Sequence, residues 1–256
     1  MTGKARVLVV DDELPVCKSV CKALEREDYS IETALSGEEA IERSRAGPYD
    51  VVITDLMMPG ISGMELLEAI RKEAPGTRVI MITGYPSITS AVEALKNGAF
   101  DYIPKPFTPD ELRSQVSRAL AGRVSGDETR VPAPHGTYCI PENSWVRLDE
   151  SRNARVGVHP VFLSTIKTIV DMELPVPGQM RYQGEACARI TDADGHLHRV
   201  WAPISGRIIE TNEAIKSDYS SLREDPYGAG WLILLAPSNL GAEIPLLADA
   251  GRPRPT

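Results

Sequence analysis

Val51-Val52-Ile53-Thr54-Asp55-Leu56-Met57-Met58-Pro59-Gly60 is a short β-branched run that stops on an acid and then breaks at Pro-Gly. That length and branching, closed by turn residues, is the pattern of a strand buried on both faces. It leaves Asp55 at the strand's carboxyl end. The same pattern recurs on either side. Residues 6–10 are apolar and end in Asp11-Asp12, residues 30–34 alternate, residues 78–83 end in Thr83-Gly84, and Tyr102-Ile103 leads to Lys105-Pro106. Helical stretches separate these strands. They run over 15–27, from a Ser36/Glu39 capping box to Ala46, over 63–72, over 87–97 with Gly98 as terminator, and from a Thr108/Glu111 box to about Leu120. Five βα units imply an α/β domain with a doubly wound, five-stranded parallel sheet covered on both faces.

In such a sheet, ligands bind beyond the carboxyl ends of the strands. Asp11, Asp12, Asp55, Thr83, Gly84 and Lys105 all fall on that rim. Crowded carboxylates raise one another's pKa, and a hard dication with oxygen ligands relieves the repulsion, which suits Mg2+. With the cation and Lys105 beside it, Asp55 can stay ionised and attack an incoming phosphoryl group. The Thr83 hydroxyl and the Gly84 amide can then bond its oxygens.

Over residues 4–121 the chain resembles the receiver domain of response regulators. The resemblance rests on Val9-Val10-Asp11-Asp12-Glu13, on Asp55 to Gly60 with Gly63-Met64, on Thr83-Gly84-Tyr85, and on Asp101-Tyr102-Ile103-Pro104-Lys105-Pro106-Phe107. It implies Asp55 as phosphoacceptor for a sensor histidine kinase. It implies Mg2+ held by Asp12, Asp55 and the Met57 carbonyl, with Asp11 acting through water. It also implies Lys105 as the phosphoryl-binding cation, and Thr83 with Tyr102 as a switch pair in which Tyr102 rotates into space that Thr83 vacates. Met57 and Tyr85 are bulky where the family tunes hydrolysis, so a slowly autodephosphorylating phosphoform is expected.

Residues 122–136 are rich in Gly, Ser, Asp, Glu and Pro and read as a linker. From Thr137 the apolar segments are short and broken by Pro and Gly: 145–148, 154–158, 166–174, 186–190, 197–202, 206–210 and 231–236. This is the spacing of a small β-sandwich, with a short helix expected near 160–165 and another in 213–221. The stretch 144–236 resembles the glycine-cleavage H protein. The carriers are Trp145-Val146-Arg147, Ala154 to Val158, Leu174-Pro175 with Gly178 and Gly184, Ala202 to Gly206, Asn212-Glu213, and Asp225-Pro226-Tyr227-Gly228 with Gly230-Trp231. The fold implied is a lipoyl-domain-like barrel-sandwich hybrid over 137–240, followed by a tail over 241–256.

That family carries lipoate on a lysine at a hairpin tip. Here the position falls on Asp194 or Gly195, and the only lysines from Thr137 onward are Lys167 and Lys216, both distant in sequence. No lipoate is therefore expected, and Asp194-Gly195 makes a tight turn instead. His196 and His198 share a face at strand spacing. They are weighed as solvated histidines against metal ligands with Asp192 as a third donor. Trp145, Trp201 and Trp231 are assigned to the core.

The net charge of −8 argues against nucleic acid as a partner, and no apolar run approaches the ~20 residues of a membrane span. A cytoplasmic protein with no membrane partner is expected. Cys17, Cys21, Cys139 and Cys187 read as structural thiols. The leading function is phosphorelay signalling through a protein-binding output domain whose target the sequence does not name, with a homodimer possible through the receiver. A metabolic role, docking on lipoate or glycine-cleavage enzymes as a decoy, is the alternative. An enzymatic C-terminal domain lacks a defensible nucleophile–base pair.

Overall fold

The computed structural model describes residues 4–25, 29–84, 88–121 and 131–250. The chain divides into two compact units, Met1–Pro86 with Asn97–Arg123, and Ser87–Lys96 with Val124–Thr256.

In the N-terminal half the elements are β1 (Ala5–Val10), α1 (Leu14–Leu24), β2 (Tyr29–Ala34), α2 (Gly37–Ala46), β3 (Val51–Asp55), α3 (Gly63–Glu73), β4 (Arg78–Thr83), α4 (Ile88–Lys96), β5 (Asp101–Pro104) and α5 (Pro109–Ala121). The sheet order is β2-β1-β3-β4-β5, and every pairing is parallel. Val7, Val9, Val51, Ile53, Ile80 and Ile82 pack with Cys17, Val20 and Leu24 of α1 and with Leu112 and Val116 of α5. Their alternates Leu8, Val10, Val52 and Met81 are equally buried, which explains why these strands read as continuous apolar runs.

Local sequence sets the helix starts. Ser36 accepts from the Glu39 amide, but the Glu39 carboxylate accepts from the Leu35 amide, so the expected capping box is shifted by one residue on one arm. Thr108 and Glu111 make the reciprocal box as expected. Ser62 and Glu65 make another that the sequence reading did not single out.

The C-terminal half is mostly antiparallel β. Its strands are β6 (Thr137–Ile140), β7 (Ser144–Leu148), β8 (Ala154–Val158), β9 (Ile169–Glu173), β10 (Met180–Arg181), β11 (Ala186–Asp192), β12 (Leu197–Trp201), β13 (Gly206–Thr211), β14 (Trp231–Pro237) and β15 (Ala248–Asp249). Short helices α6 (Pro160–Ser164), α7 (Ser221–Glu224) and α8 (Leu240–Glu243) punctuate them. A seven-stranded sheet, β10-β13-β14-β8-β7-β6-β15, faces a three-stranded one, β12-β11-β9. Val146, Val156, Ile208 and Leu235 from the first meet Met172, Ile190 and Val200 from the second in one core, as a lipoyl-like barrel-sandwich requires.

The helix expected near 160–165 is present as α6. The one expected over 213–221 is instead a 3-10 turn, Glu213–Lys216, and then α7. The strand expected over 166–174 begins only at Ile169. Residues 241–250, read as tail, are folded in. Leu247 and Glu243 are buried, the Glu243 carboxylate accepts from the Ser205 amide at 2.7 Å, and β15 pairs with β6. Of the linker, Ala133 packs against the Trp145 cluster, and residues 122–130 lie outside the described residues.

Trp145 and Trp201 are buried, and Trp231 is half-buried beneath Arg155. Trp145 sits opposite Gly157 in the β7–β8 register, with its indole lying flat across that glycine. A Cβ there would come within 2.5 Å of the ring. Among the described residues, no helix is long and apolar enough to cross a membrane.

Candidate functional site

Strand register alone assembles the acidic rim. β1 pairs with β2 on one side and β3 on the other, so the strand order reverses at β1, where such sheets open a crevice. Val10 pairs with Thr54, which brings Asp11 beside Asp55. Asp55 pairs with Ile82, and Thr83 pairs with Pro104, which places Thr83 and then Lys105 on the same edge. Ligand oxygens of Asp11, Asp12 and Asp55 all lie within 4.8 Å of one another. The Lys105 ammonium is 2.8 Å from Asp11 Oδ2 and 3.5 Å from Asp55 Oδ1.

Backbone contacts fix the phosphoacceptor candidate. The Leu56 amide donates to Asp55 Oδ1 at 3.0 Å. The Glu13 amide donates to Asp11 Oδ1 at 2.9 Å. The Lys105 amide donates to the Thr83 carbonyl at 2.7 Å, tying β5 to the end of β4. Gly63, at the start of α3, leaves no room for a side chain, because a Cβ would stand 2.1 Å from the Asp55 carbonyl oxygen.

Burial drives the Asp55 carboxyl above its usual range, Lys105 pulls it down, and Asp11 pushes it up again. Burial would lower the Lys105 ammonium, but its bond to Asp11 and the two carboxylates hold it above its ordinary value. A carboxylate crowded in this way is short of positive charge. The oxygen-only donor set, with Asp12 and Met57 open to solvent, fits a hard hydrated dication such as Mg2+.

Thr83 is fully buried and Tyr102 nearly so. Since Met81 pairs with Tyr102 and Thr83 with Pro104, Thr83 and Tyr102 are diagonal neighbours on one face of the sheet. Tyr102 is thus buried diagonally beside Thr83 in this conformation. Gly84 is exposed at the rim. Tyr85 lies outside the described residues, and Met57 is 61% exposed.

The cysteines are free thiols. Burial lifts Cys17 to about 11, with Asp11 adding to the rise, and burial lifts Cys187 to about 12. Such thiols are poor nucleophiles at neutral pH.

In the C-terminal unit, the hairpin β11–β12 turns through Ala193, Asp194 and Gly195. The Gly195 amide donates to the Asp192 carbonyl, and Gly195 takes φ +81°, a conformation glycine reaches without strain. The tip itself offers no amine for an amide linkage to lipoate. One lysine that sequence distance had set aside does arrive there. The Ala193 amide donates to the Thr168 carbonyl, and this brings Lys167 Nζ to 2.7 Å from Asp194 Oδ2. His198 is buried, not solvated. It bonds Asp192 Oδ2 through Nε2 at 2.9 Å, while His196 is half-buried. No local pattern announces the Lys167 contact, because it joins segments 27 residues apart.

Residues 7–117 match the response regulator receiver domain, and residues 137–252 match the glycine cleavage H-protein. The response regulator MprA of Mycolicibacterium vanbaalenii is 36% identical over 210 residues, covering 80% of this chain and 84% of that protein. The transcriptional regulatory protein ResD of Bacillus subtilis is 40% identical over 124 residues, 48% of this chain, and the match spans about half of its length, 51%. A crystal structure of a response regulator receiver domain protein from Clostridium thermocellum shares 36% identity, covering 45% of this chain and 94% of its own, with a TM-score of 0.43.

Proposed function

We propose the following role for this chain, which belongs to the response regulators and joins their receiver domain to a glycine-cleavage H-protein domain: Asp55 takes a phosphoryl group from a sensor histidine kinase, and the H-like domain carries the signal to a protein partner. The observation that supports it best is the convergence of Asp11, Asp12 and Asp55 within 4.8 Å, with the Lys105 ammonium among them.

The chemistry follows from these groups. An Asp55 carboxylate oxygen forms the bond to phosphorus. The donor's P–N bond breaks, and its imidazole nitrogen leaves with the electron pair. The Asp12 and Asp55 carboxylates and the Met57 carbonyl, with Asp11 beside them, would hold Mg2+, which would supply positive charge to the phosphoryl oxygens. The Lys105 ammonium, 3.5 Å from Asp55 Oδ1, supplies a further positive charge. Thr83 and the Gly84 amide receive the transferred oxygens. A loose transition state asks for this kind of positioning and charge balance, and for little else. The chain accepts the group and releases it slowly, so it is a signalling protein rather than an enzyme with turnover.

The switch rests on the Thr83–Tyr102 diagonal. With acetyl phosphate and Mg2+, the wild-type chain should gain one phosphoryl group and its Tyr102 ring resonances should shift. Thr83→Ala should gain the phosphoryl group without that shift. A full Tyr102 response in Thr83→Ala would exclude Thr83 as the link.

For the output, protein interaction is favoured over DNA. The relatives named as transcriptional regulators suggest DNA, but a recognition helix must reach across a major groove. Among the described residues after Val131, the longest helix has five residues. The net charge of −8 points the same way. Docking on lipoate or glycine-cleavage enzymes is the second reading, favoured by the H-protein match over 137–252.

The output domain is proposed to work without lipoate. Intact mass of the full chain recovered from its host should show no lipoyl increment. A lipoylated peptide containing Lys167, or any other lysine, would contradict this.

A further inference from the structure

The β11–β12 tip gathers a donor set that phosphorelay does not use. Ligand atoms of Asp192, Asp194 and His196 all lie within 4.8 Å of one another. They come together for separate reasons. Asp192 and His196 face each other across the last rung of the hairpin, since the Asp192 amide donates to the His196 carbonyl at 3.0 Å. Asp194 is carried in by the turn.

The Asp192 carboxylate is buried and aimed. Its Oδ1 accepts from the amides of Asp194 at 3.0 Å and His196 at 2.9 Å. Its Oδ2 is left pointing at the two imidazoles, 3.4 Å from His196 Nδ1 and 2.9 Å from His198 Nε2. His198 is buried against Phe162, at 6.4 Å between ring centroids, so its contact with Asp192 is held by the core. A ligating carboxylate steadied by a buried hydrogen-bond partner is the outer-sphere arrangement that tunes metal sites.

The tip also already attracts a cation of the protein's own. The Lys167 ammonium sits on Asp194 Oδ2, yet its side chain is 75% exposed, so it can swing away at little cost. His196 and Asp194 are partly open to solvent, which leaves a coordination position for water. One imidazole nitrogen with two carboxylates is a borderline-soft set. It selects Zn2+ and its neighbours over Mg2+ or Ca2+, which prefer oxygen alone.

We propose that the β11–β12 hairpin tip binds a transition-metal dication of the Zn2+ class through His196, Asp192 and Asp194, with His198 bracing Asp192 and Lys167 displaced from Asp194. The site stands on the second unit's own residues and does not depend on the phosphorelay reading. It occupies the hairpin position at which the related family attaches its cofactor, but it works by coordination rather than by amide linkage.

Co2+ is a suitable probe, because a four-coordinate Co2+ site absorbs visibly whereas an octahedral oxygen site at the receiver rim barely does. Titrated into the full-length chain, Co2+ should give visible bands saturating at one equivalent, and Zn2+ should bleach them. His196→Gln and Asp194→Asn are both at partly exposed positions where misfolding is not a concern. Each should weaken Co2+ binding at least about tenfold. Lys167→Ala should bind as tightly as wild type or tighter. Asp12→Asn should leave the bands in place. Absence of visible bands would overturn the proposal, as would bands that survive His196→Gln, or bands lost in Asp12→Asn or Lys167→Ala.

Discussion

Asp55→Asn should abolish phosphorylation of the chain by acetyl phosphate and Mg2+. The amide is isosteric but neutral. It has no nucleophilic oxygen anion, and it weakens the dication site that Asp11 and Asp12 share with it. Rate losses of this kind are effectively complete, because the bond-forming atom itself is changed. Misfolding is not expected to confuse the result. The Leu56 amide can still donate to the side-chain oxygen at position 55. Burial raises the Asp55 pKa in the folded chain, so the folded state holds that proton more tightly than the unfolded state does. Stability from this group is therefore greatest below its unfolded pKa and declines as pH rises through the folded pKa. At neutral pH the charge opposes folding, and in Mg2+-free buffer Asp55→Asn should melt at the same temperature as wild type or higher. Intact mass reads the first outcome and a thermal scan the second. A variant that still gains a phosphoryl group would move the phosphoacceptor elsewhere. In the wild type, the label should persist over hours once donor is removed, as a slowly hydrolysed aspartyl phosphate would.

Trp145→Ala should destabilise the second unit by about 3–5 kcal/mol, the range for truncating a large buried aromatic. Trp145 is fully buried, packs on Tyr227 at 5.5 Å between ring centroids, and covers Gly157 so closely that no other side chain can share the space. Removing it leaves a cavity bounded by a bare glycine, a place where the sheet has no side chain with which to refill it. Denaturant unfolding of the full chain should show the transition of the second unit moved to lower denaturant, with phosphorylation at Asp55 retained. A loss below about 1 kcal/mol would mean that the strand pair relaxes around the gap, contrary to the close packing seen between β7 and β8.

The receiver half was legible because its signals are local. Apolar β-branched runs mark β1, β3 and β4, and capping residues mark α2 and α5. Once the strand order is parallel with a reversal at β1, Asp11, Asp55, Thr83 and Lys105 meet on one edge without further information. The second half was legible only in part. β10 and β15 are two residues each, too short to carry a period, and they exist because β13 and β6 offer them partners. The folding-in of 241–250 depends on Glu243 reaching Ser205, a contact across 38 residues. Lys167 meets Asp194 in the same non-local way. The burial of His198 follows from its pairing with Ile190 on the core face, and strand spacing alone does not tell the core face from the solvent face.

Gly63 carries a consequence for anyone who rebuilds this protein. A Cβ there would run into the Asp55 carbonyl oxygen at 2.1 Å, and the Gly63 amide donates to the Leu56 carbonyl at 3.0 Å. The loop between them therefore closes where its two ends meet, with no room there for a methyl group. For a loop transplant, or for a designed receiver with altered kinetics, the gap between residues 55 and 63 is the dimension to hold constant. The residues spanning it can be exchanged more freely than the glycine that closes it.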